Sequence, residues 1–261
     1  MKLQIVTART GLLWVRLGLR TFWTQPLALS GLFFMFITAM SVASLIPYIG
    51  NALALALLPA ATLGLMAATR EASQGKFPMP TILISAFRAG RQQARAMGVL
   101  GAIYALGFLA VLGVSALLDG GGFARLYLVG GTITPELVQT SEFQYAMWVA
   151  MALYLPFSML FWHAPALVHW HGISPVKSLF FSGVACLRNF AALTVFTLVW
   201  MGLVLGVFLL TLVLAAMLGQ PDIMGMVLFP VAMLMAAMFF SSIYFTFRDS
   251  FVLEEKSAGS A

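Results

Sequence analysis

Three histidines lie close together in the chain, His163, His169 and His171, with Trp162 and Trp170 beside them. Imidazole is the commonest transition-metal ligand, and a His-x-His pair can clamp a metal ion. At 100° per residue, however, offsets of six and two do not bring all three rings to one helical face. No carboxylate stands nearby in sequence to orient an imidazole. The expectation is a Trp- and His-rich collar at a membrane interface, where such side chains are at home, with a metal or haem site as the alternative.

The other soft ligands read the same way. Sixteen methionines include Met224-Gly-Met226 and Met233-Leu-Met235. Thioethers suit Cu(I), but residues two apart point to different helix faces, and Met is an ordinary gap-filler in apolar packing. The chain has no HExxH, GxSxG or phosphate-loop motif. A single cysteine, Cys186, excludes an internal disulfide. The sequence therefore assigns no catalytic residue and no cofactor, and the expectation is a protein that is not an enzyme.

The elements that must carry these residues are set by composition. Of 261 residues, 62% are hydrophobic and 8% charged, against about 25% charged in a soluble domain. A span needs roughly 20 apolar residues, and lipid offers no partner to an open backbone, so each apolar block must be a helix. Six blocks qualify: 27–48, 51–69, 97–118, 145–167, 189–218 and 223–247. None contains an internal Asp, Glu, Lys or Arg, where ion-coupled transporters and proton relays usually carry one. Polar groups such as Thr38, Ser41, Ser44, Tyr104, Thr194, Thr197 and Thr211 can satisfy backbone groups or line a pore.

Charge placement gives the orientation. Lys2, Arg9, Arg16 and Arg20 precede the first block, five basic residues lie between the second and third, Lys177 and Arg188 between the fourth and fifth, and Arg248 and Lys256 follow the sixth. The opposite side holds Arg125 alone. Thirteen against one is the pattern of cytoplasmic termini and cytoplasmic even-to-odd connectors. It also accounts for the net charge of +6 without nucleic acid.

Basic residues recur at helical spacing. Arg9, Arg16 and Arg20 fall within about 40° on a helical wheel, with Leu12, Val15, Leu19 and Phe22 on another arc and Trp14 and Trp23 suited to the headgroup zone. Pro80 opens a second segment to Ala96 carrying Arg88, Arg91 and Arg95, and Pro175 opens a third to Arg188 carrying Lys177. Each is expected to be a cytoplasmic surface helix touching anionic headgroups. Leu58-Pro59, Leu155-Pro156 and Phe229-Pro230 echo one another in the even-numbered spans. Together these predict an all-α polytopic membrane protein: one membrane domain, 1–261, of three hairpins and three surface helices, with units 7–69, 80–167 and 174–248 as a three-fold internal repeat. Residues 254–261 read as a disordered tail. The middle external connector, 119–144, holds Gly120-Gly121-Gly122, Gly130-Gly131 and Pro135, with Leu126–Val129 placed on the membrane surface.

Small residues mark close helix approach. Ala52, Ala56, Ala60, Gly64 and Ala68 recur every four residues along the second span, and Gly202 and Gly206 form a GxxxG in the fifth. The partner is either within the chain or in a second copy or another membrane protein.

Ala8-Arg9-Thr10-Gly11 through Trp14, the basic helix leading to Pro26, the second Pro-led basic segment from Pro80 to Arg95, and the Trp/His-rich turn before Ser174-Pro175 carry a resemblance. The layout resembles a family of uncharacterised bacterial inner-membrane proteins with six spans. The resemblance implies a bacterial inner membrane and assigns no substrate or active residue. The functional expectation is a structural, scaffolding or assembly role. The alternatives are a transporter or channel for a small neutral or apolar solute, and a membrane-embedded enzyme or metal/haem-binding protein.

Overall fold

A computed structural model describes residues 2–130, 132, 134–219 and 222–252. The tail expected at 254–261, residues 131 and 133 of the 119–144 connector, and residues 220 and 221 lie outside the described residues. In chain order the elements are β1 (Lys2–Leu3), α1 (Arg9–Thr24), α2 (Pro26–Ser44), α3 (Gly50–Ser73), a 3-10 turn (Pro80–Ile84), α4 (Ser85–Arg88), α5 (Arg91–Asp119), α6 (Gly122–Val129), α7 (Pro135–Gln139), α8 (Ser141–Phe161), α9 (Ala164–His171), α10 (Pro175–Arg188), α11 (Phe190–Met217), α12 (Asp222–Ser250) and β2 (Phe251–Val252).

Six helical stretches are long and apolar enough to cross a membrane: α2, α3, α5, α8 with α9, α11 and the bulk of α12. The protein is an all-α polytopic membrane protein. Several helices outrun their apolar blocks, as α5 does by starting at Arg91 rather than Met97, because a helix need not end where the hydrocarbon does. Pro59, Pro156 and Pro230 all lie inside helices.

One expectation is corrected here. The segment from Pro80 to Ala96 is not one surface helix. Gly90 adopts φ 114°, a conformation that breaks the chain direction, so Arg88 closes the short α4 while Arg91 and Arg95 occupy the first turns of α5. Residues 126–129, expected at the membrane surface, form the second half of the helix α6.

The described residues gather into two compact units. In the first, drawn from 1–36, 62–85 and 184–261, α1 packs along α11 and α12. Its buried face is Gly11, Trp14, Val15, Gly18, Thr21 and Phe22. A methyl on Gly11 would collide with the Ala192 carbonyl and lie 2.8 Å from the Phe196 nitrogen; one on Gly18 would lie 2.6 Å from the Ser242 Cα. Trp14 therefore faces the protein and not lipid headgroups. It is fully buried, edge-on to Phe196, and its indole N–H donates to Asp249 Oδ2 at 3.0 Å. Leu12, expected on the apolar arc, is 38% exposed. The N-terminal strand pairs antiparallel with β2, an addition to the all-helical expectation. Asn189 knots these pieces together: its Oδ1 accepts from Val6 N–H, and its Nδ2 donates to the Gln4 carbonyl and to Ser250 Oγ.

The second unit, drawn from 37–61 and 86–183, is built on α5 packed against α8, with α6 and α9 against them. Close approach again rests on a glycine, since Gly101 of α5 faces the Ala56 carbonyl of α3 with no room for a side chain.

Candidate functional site

The histidines are not gathered into a site. α8 stops at Phe161, and the chain turns through Trp162 and His163 before α9 begins at Ala164. A break inside an apolar stretch leaves backbone groups that lipid cannot satisfy. Ser182 of α10 closes both sides of this one: its hydroxyl accepts from the His163 backbone N–H at 2.9 Å and donates to the Met159 carbonyl at 2.8 Å. His163 is 1% exposed, so its ring packs inside the protein and not toward lipid headgroups. His169 and His171 lie a turn or more away, in the last turn of α9, and are half-buried. Among the described residues no group of three or more His, Cys, Asp or Glu is placed to hold a metal ion.

The basic residues Arg9, Arg16, Arg20, Arg88, Arg91, Arg95, Lys177 and Arg188 are all exposed, as is every other described Lys and Arg. The small-residue seam divides. Ala60 is buried, and a methyl on Gly64 would lie 2.7 Å from the Leu83 Cα, while the Ala56 carbonyl receives Gly101. Gly202 and Gly206 face open space, with nothing within 4 Å of a Cβ built on either, so the GxxxG joins no helix of this chain among the described residues. The glycines that do seat helices include Gly11, Gly18 and Gly101, and the sequence signal was available: Gly11, Trp14 and Gly18 are three and seven apart, a single helical stripe.

The residues that sequence reasoning passed over surround α6. Gly120 and Gly121 both take positive φ, 63° and 90°, and turn the chain sharply at the end of α5. α6 then runs back along α5 and beside α8. Phe123 meets Phe143 at 5.8 Å between ring centres, and one turn later Tyr127 meets Phe108 at 5.2 Å. A short helix in this position has open groups at both ends. Asp119 closes the first end, Oδ1 accepting from Gly121 N–H at 2.9 Å and Oδ2 from Phe123 N–H at 2.6 Å. A carboxylate there also meets the positive end of the helix dipole. Asn51 closes the other end, donating to the Leu128 carbonyl at 2.6 Å.

Held in this way, α6 borders two apolar clefts that share Tyr127. The larger, about 190 Å³, lies between Phe108 and Leu112 of α5, Phe123 and Tyr127 of α6, and Ala150 and Tyr154 of α8. The smaller, about 130 Å³, lies between Tyr127 and Leu128 and residues of the start of α3, Asn51 among them. Below them the aromatic packing continues through Tyr104, Phe157 and Phe161. Burial, and after it the nearby Tyr154 phenol, raise the Tyr127 phenol above its ordinary range, so it is a neutral donor at any physiological pH. Nothing in the lining is a nucleophile or an acid–base pair; the site can hold an apolar body with a few phenol and amide groups at its edges.

Over 261 residues the chain is 41% identical to a probable inner membrane protein of Burkholderia thailandensis, a match covering 99% of this chain and 97% of the relative. The chain belongs to that family. No family model and no solved structure matches it. The full-length match and the six membrane-capable helices together make this a multi-pass inner-membrane protein, as the resemblance in its surface helices implied. The two caps of α6 and the Ser182 bridge do the same job: each gives a partner inside the protein to backbone groups left open where a helix ends.

Proposed function

We propose that the protein is a structural or assembly component of the bacterial inner membrane, not an enzyme, with both termini in the cytoplasm. The observation that carries this reading is where the polar groups of the spans go. Hydroxyls donate back to carbonyls of their own helix: Thr69 to Leu65, Ser115 to Leu112, Thr211 to Val207, Ser241 to Ala237 and Thr246 to Ile243. They satisfy helices rather than converge on a path, and the clefts beside α6 are small and apolar. The orientation is supported by thirteen basic residues on one side of the six spans against Arg125 on the other. The exposed basic residues of α1, α5 and α10 would then meet the anionic cytoplasmic leaflet. The bare Gly202 and Gly206 stripe offers a face to a second copy or another membrane protein.

The test has two arms. Extracted from native membranes in mild detergent, the protein should elute in a stoichiometric complex, with itself or with another membrane protein. Reconstituted into liposomes, it should pass glycerol and urea no faster than protein-free vesicles do. A lone monomer whose vesicles conduct either solute would overturn the structural reading in favour of transport.

A further inference from the structure

We propose that the outward face of α1 binds an anionic phospholipid whose headgroup carries two phosphates. This deepens the reading above, in which the basic residues meet an anionic leaflet, by fixing one face and one class of lipid. Helical spacing defines the face. Arg9, Arg16 and Arg20 fall within about 40° on the wheel, and Leu12, Leu13 and Trp23 widen that arc to about 100°. All six are exposed, Trp23 to 65%, while the opposite side of the helix is the buried stripe of Gly11, Trp14 and Gly18.

Two backbone contacts settle where the exposed face points. Gly11 abuts Ala192 of α11, and Gly18 abuts Ser242 of α12. The two glycines are about 10 Å apart along the helix, the separation of two packed helices. α1 therefore crosses from one span onto the other and turns its arginines away from both. Ala192 lies close to the start of α11 at Phe190, and Ser242 lies two turns before the end of α12 at Ser250. The crossing is thus within about 12 Å of the spans' ends. Beyond α1, Gln25 alone intervenes before the first span, α2. A helix held at this level meets the zone where headgroups give way to hydrocarbon. A phospholipid supplies phosphate and hydrocarbon in one molecule, which matches arginines flanked by exposed leucines and a tryptophan.

Charge sets the number of phosphates. α1 contains no Asp or Glu, and none of its three arginines makes an ion pair among the described residues. Asp249, whose carboxylate reaches α1, is held by the Trp14 indole and by Arg248. From Arg9 to Arg20 the row of charges is about 16 Å long, more than one phosphate can cover. Arg16 and Arg20 stand one turn apart, so each can hold its own phosphate of a shared headgroup. Once the first phosphate is bound, the second engages at the high effective concentration that the linkage provides.

The experiment titrates the purified full chain, in a mild detergent, with cardiolipin, phosphatidylglycerol and phosphatidylcholine, and counts bound lipid by native mass spectrometry. One surface cation changes affinity for a phosphate about five-fold. Phosphatidylglycerol should therefore bind about five-fold tighter than phosphatidylcholine, and cardiolipin about five-fold tighter again. Arg16→Gln combined with Arg20→Gln should weaken cardiolipin about 25-fold and leave melting unchanged, since both side chains are exposed. Lys177→Gln combined with Arg188→Gln removes the same charge from α10 and should leave cardiolipin binding as it was. Equal affinity for cardiolipin and phosphatidylglycerol overturns the two-phosphate lipid. Equal losses in the α1 and α10 variants overturn the α1 site in favour of diffuse charge. A labelled hexaglutamate peptide that binds through Arg16 and Arg20 where cardiolipin does not assigns the face to an acidic protein and overturns the lipid. Lipid counts depend neither on a stoichiometric complex nor on solute flux, so this site and the structural role fail separately. α1, the start of α11 and the end of α12 share one side of the membrane in either orientation, so an inverted topology leaves every one of these results intact.

Discussion

Asp119→Ala should release α6 without unfolding the protein. The side chain holds two backbone N–H groups at 2.9 and 2.6 Å, those of Gly121 and Phe123. A hydrogen bond to a charged group contributes about 1.5–3 kcal/mol, and loss of a side-chain cap typically costs about 0.5–2 kcal/mol. Asp119 is only half-buried, so the freed groups regain some water and the cap figure is the better guide, at about 2 kcal/mol. That is roughly a 30-fold rise in the population of opened α6, at about 1.4 kcal/mol per decade. Hydrogen–deuterium exchange in nanodiscs reads it directly. Peptides covering 120–130 should exchange about 30-fold faster, while those covering α1 and α12 keep their protection. Asp119→Asn retains one acceptor oxygen and should give an increase of about five-fold by the same conversion. Unchanged exchange over 120–130 would refute the capping argument. An equal rise everywhere would show that Asp119 supports the whole fold rather than this helix.

With Cys186 replaced by Ala, Arg88→Cys and Ser257→Cys should resist a membrane-impermeant thiol reagent in intact cells while Thr132→Cys reacts; labelling at Arg88 or Ser257 from outside would reverse the orientation. Gly64→Ala places a methyl 2.7 Å from the Leu83 Cα and 2.8 Å from its carbonyl oxygen, so it should destabilise by about 1–3 kcal/mol in thermal unfolding. Gly202→Ala, with nothing within 4 Å, should leave the monomer's melting unchanged, and a loss of oligomer in that variant alone would place the partner face on α11. Purified protein should carry no stoichiometric transition metal, and the combined His163→Ala, His169→Ala, His171→Ala variant should show the same metal content by elemental analysis.

The spans were legible because bilayer thickness is written into composition: a run such as 190–217 is apolar on every side and admits one reading. Ends were less legible, since α3 continues past its apolar block through Arg70 to Ser73, and a helix can run on where the sequence turns polar. Partners were hardest to see. Hydropathy reports how apolar a face is, not what it touches, so Trp14 looked like a headgroup anchor until Gly11 and Gly18 on the same stripe let two helices close over it. Gly202 and Gly206 have the same spacing logic and meet nothing. The α6 cleft escaped notice because its polar determinants, Asp119 and Asn51, lie 68 positions apart and neither belongs to a recognisable motif. Three adjacent glycines signal a turn but not that the chain then doubles back along α5.

The bond from Trp14 to Asp249 spans 235 residues of sequence. Translation at about 5–20 residues per second puts some 10–50 s between the emergence of its two ends. For most of that interval the first helix is made but its destination is not: until residue 190 is passed, the stripe of Gly11, Trp14 and Gly18 has neither α11 nor α12 to cover it. Biogenesis must therefore finish by recruiting a waiting segment back onto the last hairpin, after which β1 and β2 zip and Asn189 locks the join. A ribosome that stops before α11 leaves that stripe uncovered, and one that stops before α12 leaves Gly18 without Ser242 and Trp14 without Asp249. The incomplete chain would differ from the finished one at its very first helix, where membrane quality control can tell them apart.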